Sequence, residues 1–237
     1  MRRFALIGRR LGHSWSQRWF EELFQRLGLA DHSYCLHEME SLDGLRQWVE
    51  NEEISGFNVT VPYKQAIIPR LDELSPVAAA IGAVNCVCVS DGRLIGHNTD
   101  APAFSDTLRN PRPALILGTG GAAQAVGYAL KQRGIRHLYV SRHPAGHESV
   151  VGYADVPALI NDFQMLVNAT PVGMWPEVGV SPWPWPERLG RFSEVYDLIY
   201  NPSPTLLLRL AAAQGAETHD GLAMLHRQAE LSWQLWQ

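Results

Sequence analysis

The run Gly118-Thr119-Gly120-Gly121-Ala122-Ala123 constrains this chain most, because it stands between an apolar stretch at residues 114–117 and a helical pattern at residues 122–131. Gly134 ends that helix ahead of a second strand at residues 137–140, and strand, helix and strand in this order make a βαβ unit. The glycines match G-x-G-x-x-A in the setting that gives the pattern meaning. Gly118 permits the tight turn, Gly120 lets the backbone approach a pyrophosphate, Ala123 allows close helix packing, and the helix start offers unpaired N–H groups to phosphate. A chain preferring NAD would place Asp or Glu at the end of the next strand, but here that place reads Ser141-Arg142-His143. A guanidinium pairs with a 2′-phosphate that a carboxylate would repel, so the expected cofactor is NADP. A nucleotide-free α/β domain with a glycine-rich turn and a solvated arginine is the alternative left open by these residues alone.

Around this unit the 237 residues suffice for one large or two modest domains, and a 46% hydrophobic content supplies a core. Residues 4–7 read as a buried strand ending at Gly8, and Trp19, Phe20, Leu23, Phe24 and Leu27 recur at helical spacing until Gly28. A second helix is expected near residues 42–49, a strand at 57–61 with Asn58 and Thr60 on one face, and another strand at 83–89 that turns at Asp91-Gly92 and returns to Gly96. Prolines make residues 110–113 the best linker candidate. Beyond them, strands are expected at 165–167 and 195–199, loop at 181–186, and helices at 205–213 and 222–236.

Charge and composition exclude several classes of function. Twenty Lys+Arg against 24 Asp+Glu give a net charge of −4 without a basic run, so no nucleic-acid footprint is expected. No apolar stretch reaches the roughly 18 to 20 residues that span a bilayer, and the N-terminal start does not read as a secretion signal. Cys35, Cys86 and Cys88 are too few and too irregular for a disulfide framework, which points to a reducing cytoplasm. Cys86 and Cys88 share one strand face without a second Cys/His pair, so they read as core and no metal site is expected. His13 beside Ser14 would suit a hydrolase, but a G-x-S-x-G elbow is missing.

The remaining polar strings are His13-Ser14-Trp15-Ser16, Asn58-Val59-Thr60-Val61-Pro62-Tyr63-Lys64, Gly82-Ala83-Val84-Asn85 and Gly96-His97-Asn98-Thr99-Asp100. Asn168-Ala169-Thr170-Pro171-Val172-Gly173-Met174, Tyr196-Asp197-Leu198-Ile199-Tyr200-Asn201-Pro202 and Asp220-Gly221-Leu222-Ala223-Met224-Leu225 follow in order. Together with the glycine fingerprint these strings resemble the shikimate dehydrogenases over nearly the whole chain.

The resemblance implies NADPH-dependent, reversible reduction of 3-dehydroshikimate to shikimate, on the route to aromatic amino acids. It implies an α/β fold with an N-terminal substrate domain at residues 1–101, completed by 221–237, and a Rossmann-type doubly wound NADP-binding domain at 102–220, with the active site in the cleft between them. Lys64 and Asp100 occupy the catalytic positions, where a Lys–Asp pair can hand a proton to the alkoxide left by hydride addition. Ser14, Ser16, Thr60, Asn85 and Gln228 match substrate-binding positions, and Tyr200 is expected to reach the substrate carboxylate. Gly118, Gly120, Gly121, Ala122, Ser141 and Arg142 would hold the nucleotide, with Thr170, Gly221 and Met224 near the nicotinamide. Taken singly these residues have ordinary readings: Ser16 as a helix cap, Asn85 at a strand end, Lys64 and Asp100 as surface charges.

The chain departs from the family pattern at Gln17, where proline is common, and at Ala103, where glycine is usual. No second basic residue follows Arg142 apart from His143 and His147, Gly146 and its neighbours supplying none, which predicts a modest NADP preference. The chain reads as a short variant, trimmed across residues 143–161 and ending at Gln237 where relatives continue into a further helix. That ending would leave Trp233 and Trp236 exposed or covered by a partner subunit, and a monomer or a homodimer is expected. Two rival readings remain: a non-catalytic shikimate- and NADP-binding regulator, and a dehydrogenase of quinate or a related cyclic acid.

Overall fold

The structure, a computed structural model, describes residues 2–12, 14–144 and 149–237. The chain divides into two compact units, Met1–Asp100 with His226–Gln237, and Ala101–Leu225. The change of unit falls after Asp100, ahead of the proline-rich stretch at residues 110–113. Among the described residues each unit is built on one six-stranded sheet.

The first unit carries β1 (Arg2–Gly8), α1 (Ser16–Leu27), β2 (His32–Glu38), α2 (Leu45–Asn51), β3 (Ile54–Val59), α3 (Tyr63–Ala66), β4 (Glu73–Leu74), α4 (Pro76–Ile81), β5 (Cys86–Ser90) and β6 (Arg93–His97). The chain then runs through α5 (Asp100–Thr107), β7 (Ala114–Leu117), α6 (Gly121–Gln132), β8 (His137–Ser141), β9 (Val150–Gly152), α7 (Val156–Leu159), β10 (Met165–Asn168), β11 (Glu194–Asp197), α8 (Leu206–Ala212) and β12 (Glu217–His219). The last helix, α9 (Leu222–Trp236), starts in the second unit and ends in the first.

In the first unit the strand order is β2-β1-β3-β5-β6-β4. β1 lies parallel to β2 and β3, whereas β5 runs antiparallel to both of its neighbours. Side chains alternate across a strand, and β1 uses both faces. Ala5 and Ile7 enter a layer with Val49, Phe57 and Val87, while Phe4 and Leu6 enter one with Phe20, Phe24, Tyr34 and Trp236. Helix α1 presents Phe20, Leu23 and Phe24 to that second layer, at the spacing that puts them on one face. It stops where Gly28 turns left-handed at φ 70° and Leu29 N–H reaches back to Phe24 O at 2.9 Å. Asp91 and Gly92 both have positive φ, the geometry an Asp-Gly hairpin between β5 and β6 demands.

Trp233 and Trp236 correct the expectation that they are exposed. They are 7% and 2% exposed, because the end of α9 lies in the Phe4–Phe20–Phe24 layer, where the Trp236 ring stacks on Phe4 at 4.8 Å. The indole N–H of Trp236 donates to Val87 O at 3.0 Å. A Cβ on Gly56 would come within 2.5 Å of that indole, so the glycine makes room for the ring.

The second unit's sheet is wholly parallel in the order β12-β11-β10-β7-β8-β9. Numbered from β7, this is the order 3-2-1-4-5-6 read backwards, with the reversal between β7 and β10, which is the doubly wound dinucleotide-binding arrangement. Strands β7, β10 and β11 are buried along their whole length, as expected of a sheet covered on both faces. Helix α6 packs against β8 at Gly127, where a Cβ would overlap the Tyr139 hydroxyl. Ala123 is buried, and Gly127, one turn later, leaves room for Tyr139.

Candidate functional site

Four loops leave the first sheet at one edge. β1 and β3 end there at Gly8 and Val59, the antiparallel β5 starts there at Cys86, and β6 ends there at His97, as the pairings Ile7 with Val59, Asn58 with Cys86 and Cys86 with His97 require. Ser14 and Ser16 follow β1, Thr60 and Lys64 follow β3, Asn85 precedes β5 and Asp100 follows β6. Parallel strands with an inverted neighbour thus gather at one edge residues that are scattered over the sequence.

Lys64 Nζ lies 2.6 Å from Asp100 Oδ2, with side-chain exposures of 17% and 5%. Lys64 stands in α3, whose short turn opens on a hydrogen bond from Tyr63 N–H to Thr60 O at 2.9 Å. Asn85 Nδ2 is 3.0 Å from Asp100 Oδ1, 2.9 Å from Thr99 Oγ1 and 3.4 Å from Gln228 Oε1, while its Oδ1 accepts from Thr99 N–H at 2.6 Å. Both Asp100 oxygens therefore accept from donors, the arrangement of an ionised carboxylate. Removing either partner of such a shielded pair leaves the other charge uncompensated, which costs about 3–5 kcal/mol.

Behind these residues runs a buried polar chain that the sequence did not single out as a group. Tyr34 OH donates to Asn58 Oδ1 at 2.8 Å; Asn58 Nδ2 donates to Ser232 Oγ at 2.9 Å and to Asn85 O at 3.2 Å. Ser232 Oγ donates to Gln228 O at 2.8 Å and lies 3.2 Å from Thr99 Oγ1. Buried polar groups are costly unless paired, so this satisfied network fixes Asn85 and Gln228 in place. One signal existed in the sequence: Gln228 and Ser232 fall four apart on an otherwise apolar helix face.

Ser14 and Ser16 sit at the start of α1, where Ser14 Oγ accepts from Ser16 N–H at 3.3 Å. Ser16 is the first helical residue rather than the cap; Trp15 holds the cap position. Thr60 packs its methyl where a Cβ on Gly8 would come within 2.7 Å. His13 lies outside the described residues, as do Gly146 and His147. Cys86 is buried as expected of core, but Cys88 is half-buried.

In the second unit the corresponding edge is the one where the parallel strands end. Gly118 follows β7 with φ 101°, and a Cβ there would lie 3.0 Å from Thr170 Cγ2, so the ends of β7 and β10 touch across the strand-order reversal. Gly120 caps α6 without a side-chain bond, and a Cβ on it would meet nothing within 4 Å. The first N–H groups of α6, at Gly121 and Ala122, are therefore approachable by a bulky anion. Ser141 ends β8 and its Oγ accepts from His143 N–H at 3.1 Å, a turn that carries the exposed Arg142. Burial pushes the Tyr153 phenol up, and the nearby Arg142 charge opposes that shift.

Thr170 Oγ1 donates to Asn168 Oδ1 at 2.7 Å, and Asn168 Nδ2 donates to Asp197 Oδ1 at 2.9 Å. Asp197 Oδ1 also accepts from Ile199 N–H at 3.1 Å, and its Oδ2 accepts from Thr205 Oγ1 at 2.7 Å. Burial pushes the Asp197 carboxyl up to about 6 against these three donors. Tyr200 is half-buried in the loop after β11. A Cβ on Gly221 would overlap Leu198 O, so only glycine fits there, and Met224 is buried in the first turn of α9. Gly118, Gly120, Gly121, Ala122, Arg142, Thr170, Tyr200 and Gly221 thus follow strand ends of the second sheet, and Ser141 closes one of those strands.

Comparison with known proteins gives the same family from several directions. The family described as shikimate dehydrogenase substrate binding domain matches residues 6–87. A shikimate dehydrogenase (NADP(+)) of Shouchella clausii is 37% identical over 258 aligned residues, covering 99% of this chain and 92% of that protein. The crystal structure of shikimate dehydrogenase 1 from Peptoclostridium difficile superposes with a TM-score of 0.88 at 34% identity, covering 100% of this chain and 91% of that one. The Thermus thermophilus shikimate 5-dehydrogenase, solved in complex with NADP(H) and shikimate, superposes with a TM-score of 0.87 at 35% identity, covering 100% of this chain and 93% of that one.

Proposed function

This chain belongs to the shikimate dehydrogenase family, and on that premise we propose that it reversibly reduces 3-dehydroshikimate to shikimate with NADPH. The observation that carries the reading is the shielded Lys64–Asp100 pair, 2.6 Å apart at the strand-end edge of the first sheet. A relative bound to NADP(H) and shikimate supports the same cofactor and substrate.

The second unit fits the cofactor by two features of its own: the uncapped start of α6 beside an open Gly120, and the left-handed Gly118 against Thr170. Gly118, Gly120, Gly121 and Ala122 would hold the pyrophosphate, Ser141 and Arg142 the 2′-phosphate, and Thr170, Gly221 and Met224 the nicotinamide end. When bound, NADPH supplies the hydride.

Every other step belongs to the chain's own side chains. Hydride arrival at the ketone carbon puts negative charge on its oxygen, and the Lys64 ammonium keeps N–H donors beyond the one it gives Asp100. Lys64 Nζ stabilises that oxygen and delivers the proton, and Asp100 holds Nζ in position. Ser14, Ser16, Thr60, Asn85, Tyr200 and Gln228 supply hydroxyls and amides suited to a polyhydroxy carboxylate. Bonds of this kind to a charged group contribute about 1.5–3 kcal/mol each.

We place the protein in a reducing cytoplasm, on its three free cysteines. Among the described residues no helix is long and apolar enough to cross a membrane. The assembly is a monomer or a homodimer, and burial of Trp233 and Trp236 within the first unit removes the reason to invoke a partner over them.

The test is absorbance at the reduced-nicotinamide band with purified protein, shikimate or quinate, and NADP or NAD. Growth that requires shikimate and prefers NADP is the expected result. A flat trace for every pair, from protein shown to be folded and to bind both ligands, would make it a binding protein instead; a quinate preference would replace the substrate.

A further inference from the structure

At the opposite edge of the second sheet, where β11 and β12 begin, Glu194 and Glu217 stand side by side in register. His219, two residues along β12, turns its imidazole toward both. His219 Nε2 is 3.5 Å from Glu217 Oε1 and 3.7 Å from Glu194 Oε1, too far for a hydrogen bond. The Glu194 side chain is only 2% exposed, yet its Oε2 has no partner among the described residues, and neither has the buried His219 Nε2. A buried carboxylate oxygen and a buried imidazole nitrogen that each lack a hydrogen-bond partner are costly to keep.

The spacing itself suggests what fits between. Zinc binds imidazole nitrogen and carboxylate oxygen at about 2.0–2.2 Å, and two ligands of a tetrahedron with such bonds lie about 3.3–3.6 Å apart. Of the distances from Nε2 to the two carboxylates, 3.5 Å falls within this separation and 3.7 Å just beyond it, and one ligand atom from each of the three residues lies within 4.8 Å of the others. The imidazole is already oriented, because the Tyr196 ring stacks on it at 4.3 Å. Asn110 Nδ2 donates to Glu194 Oε1 at 3.0 Å, which fixes that carboxylate as outer partners fix ligands elsewhere. Arg109 Nη1 is 3.9 Å from Glu217 Oε1, but its side chain is 72% exposed and free to swing to solvent.

We propose that Glu194, Glu217 and His219 bind a divalent zinc ion at the strand-start edge of the second sheet, with water completing the coordination. One imidazole and two carboxylates are a donor set that suits zinc. The ion ties the edge strand β12 to β11 through side chains, on the edge opposite Gly118 and Thr170, so its role is structural. The sequence offered no metal motif because Glu194 and the Glu217/His219 pair are brought together only by strand pairing.

Zinc alone is titrated into the full-length, metal-stripped protein, with stoichiometry read by calorimetry and by elemental analysis after dialysis, and thermal stability followed in parallel. One zinc per chain and a raised melting temperature are expected. Affinity should fall at least about tenfold in His219→Gln and in Glu217→Gln, the second at a position whose side chain is 47% exposed, and it should persist in Cys88→Ser. Absence of stoichiometric binding by folded wild-type protein would overturn the proposal, as would affinity unchanged in both ligand variants.

Discussion

Asn85 and Asp100 share a hydrogen bond of 3.0 Å, from the amide to the carboxylate oxygen that Lys64 does not hold. The same amide lies 3.4 Å from Gln228 on α9, so three segments far apart in sequence set the position of one carboxylate.

Lys64→Ala should lower kcat by roughly 10² to 10⁴, the range of a lost proton donor, while shikimate binding survives. Steady-state rates alongside calorimetric binding of shikimate check it. Near-normal turnover in a folded variant would remove Lys64 from proton transfer.

Arg142→Ala should raise KM for NADP by about tenfold and leave KM for NAD unchanged, because only the former offers a 2′-phosphate to the guanidinium. The effect stays modest because Arg142 is exposed. Equal effects on both cofactors would mean that another group reads the phosphate.

Asp197 makes stability depend on pH in a stated direction. Burial raises its carboxyl to about 6 in the folded chain, against 3.8 for the ordinary group. A raised pKa means that the folded state holds the proton more tightly, so this contribution is full below about pH 3.8 and lost as pH rises through about 6. The loss is on the order of 3 kcal/mol. Asp197→Asn can keep Oδ1 as acceptor for Asn168 and Ile199 and donate to Thr205 Oγ1. Urea unfolding at pH 4 and pH 7 should show wild type losing this much more stability than the variant; parallel losses would contradict the assignment.

Gly56→Ala should destabilise the protein by about 1–3 kcal/mol, since the new methyl meets the Trp236 indole and that ring is anchored to Val87 O. Trp236→Ala alone should cost about 3–5 kcal/mol. Combined, they should cost clearly less than their sum, because the ring that excludes the methyl is gone. Additive losses in denaturant unfolding would show that the clash is relieved elsewhere.

Much of this was legible in the sequence where a local rule acts on consecutive residues. The glycine fingerprint, the Asp91-Gly92 turn and the Gly28 stop are decided by backbone sterics within a few positions, and each stands where it was read. The ordered polar strings pointed to Lys64, Asn85 and Asp100 through resemblance, and strand pairing brings them to one edge. Edge strands were missed. In β2 only Tyr34 is fully buried, and β9 and β12 are three residues each, too short to show a period. Helix α4 was missed although Ser75 caps it and Gly82 ends it, signals that lay in plain view. Trp233 and Trp236 were misjudged because burial of a terminal helix depends on Phe4, Phe20 and Phe24 more than 200 residues earlier. No window along the chain contains both sides of that contact.

The placement of Trp233 and Trp236 has a consequence for how the chain is made. Synthesis proceeds from the N-terminus at roughly 5–20 residues per second, and domains generally fold as units when they emerge. Ala101–Leu225 is continuous and can close its sheet as soon as it clears the ribosome. Met1–Asp100 emerges before it, yet the aromatic layer over Phe4 and Phe20 lacks two of its rings until the codons for α9 are translated. Of the two units, the one begun earlier is thus the one finished later, and its half-built apolar face is what a chaperone would meet on the nascent chain.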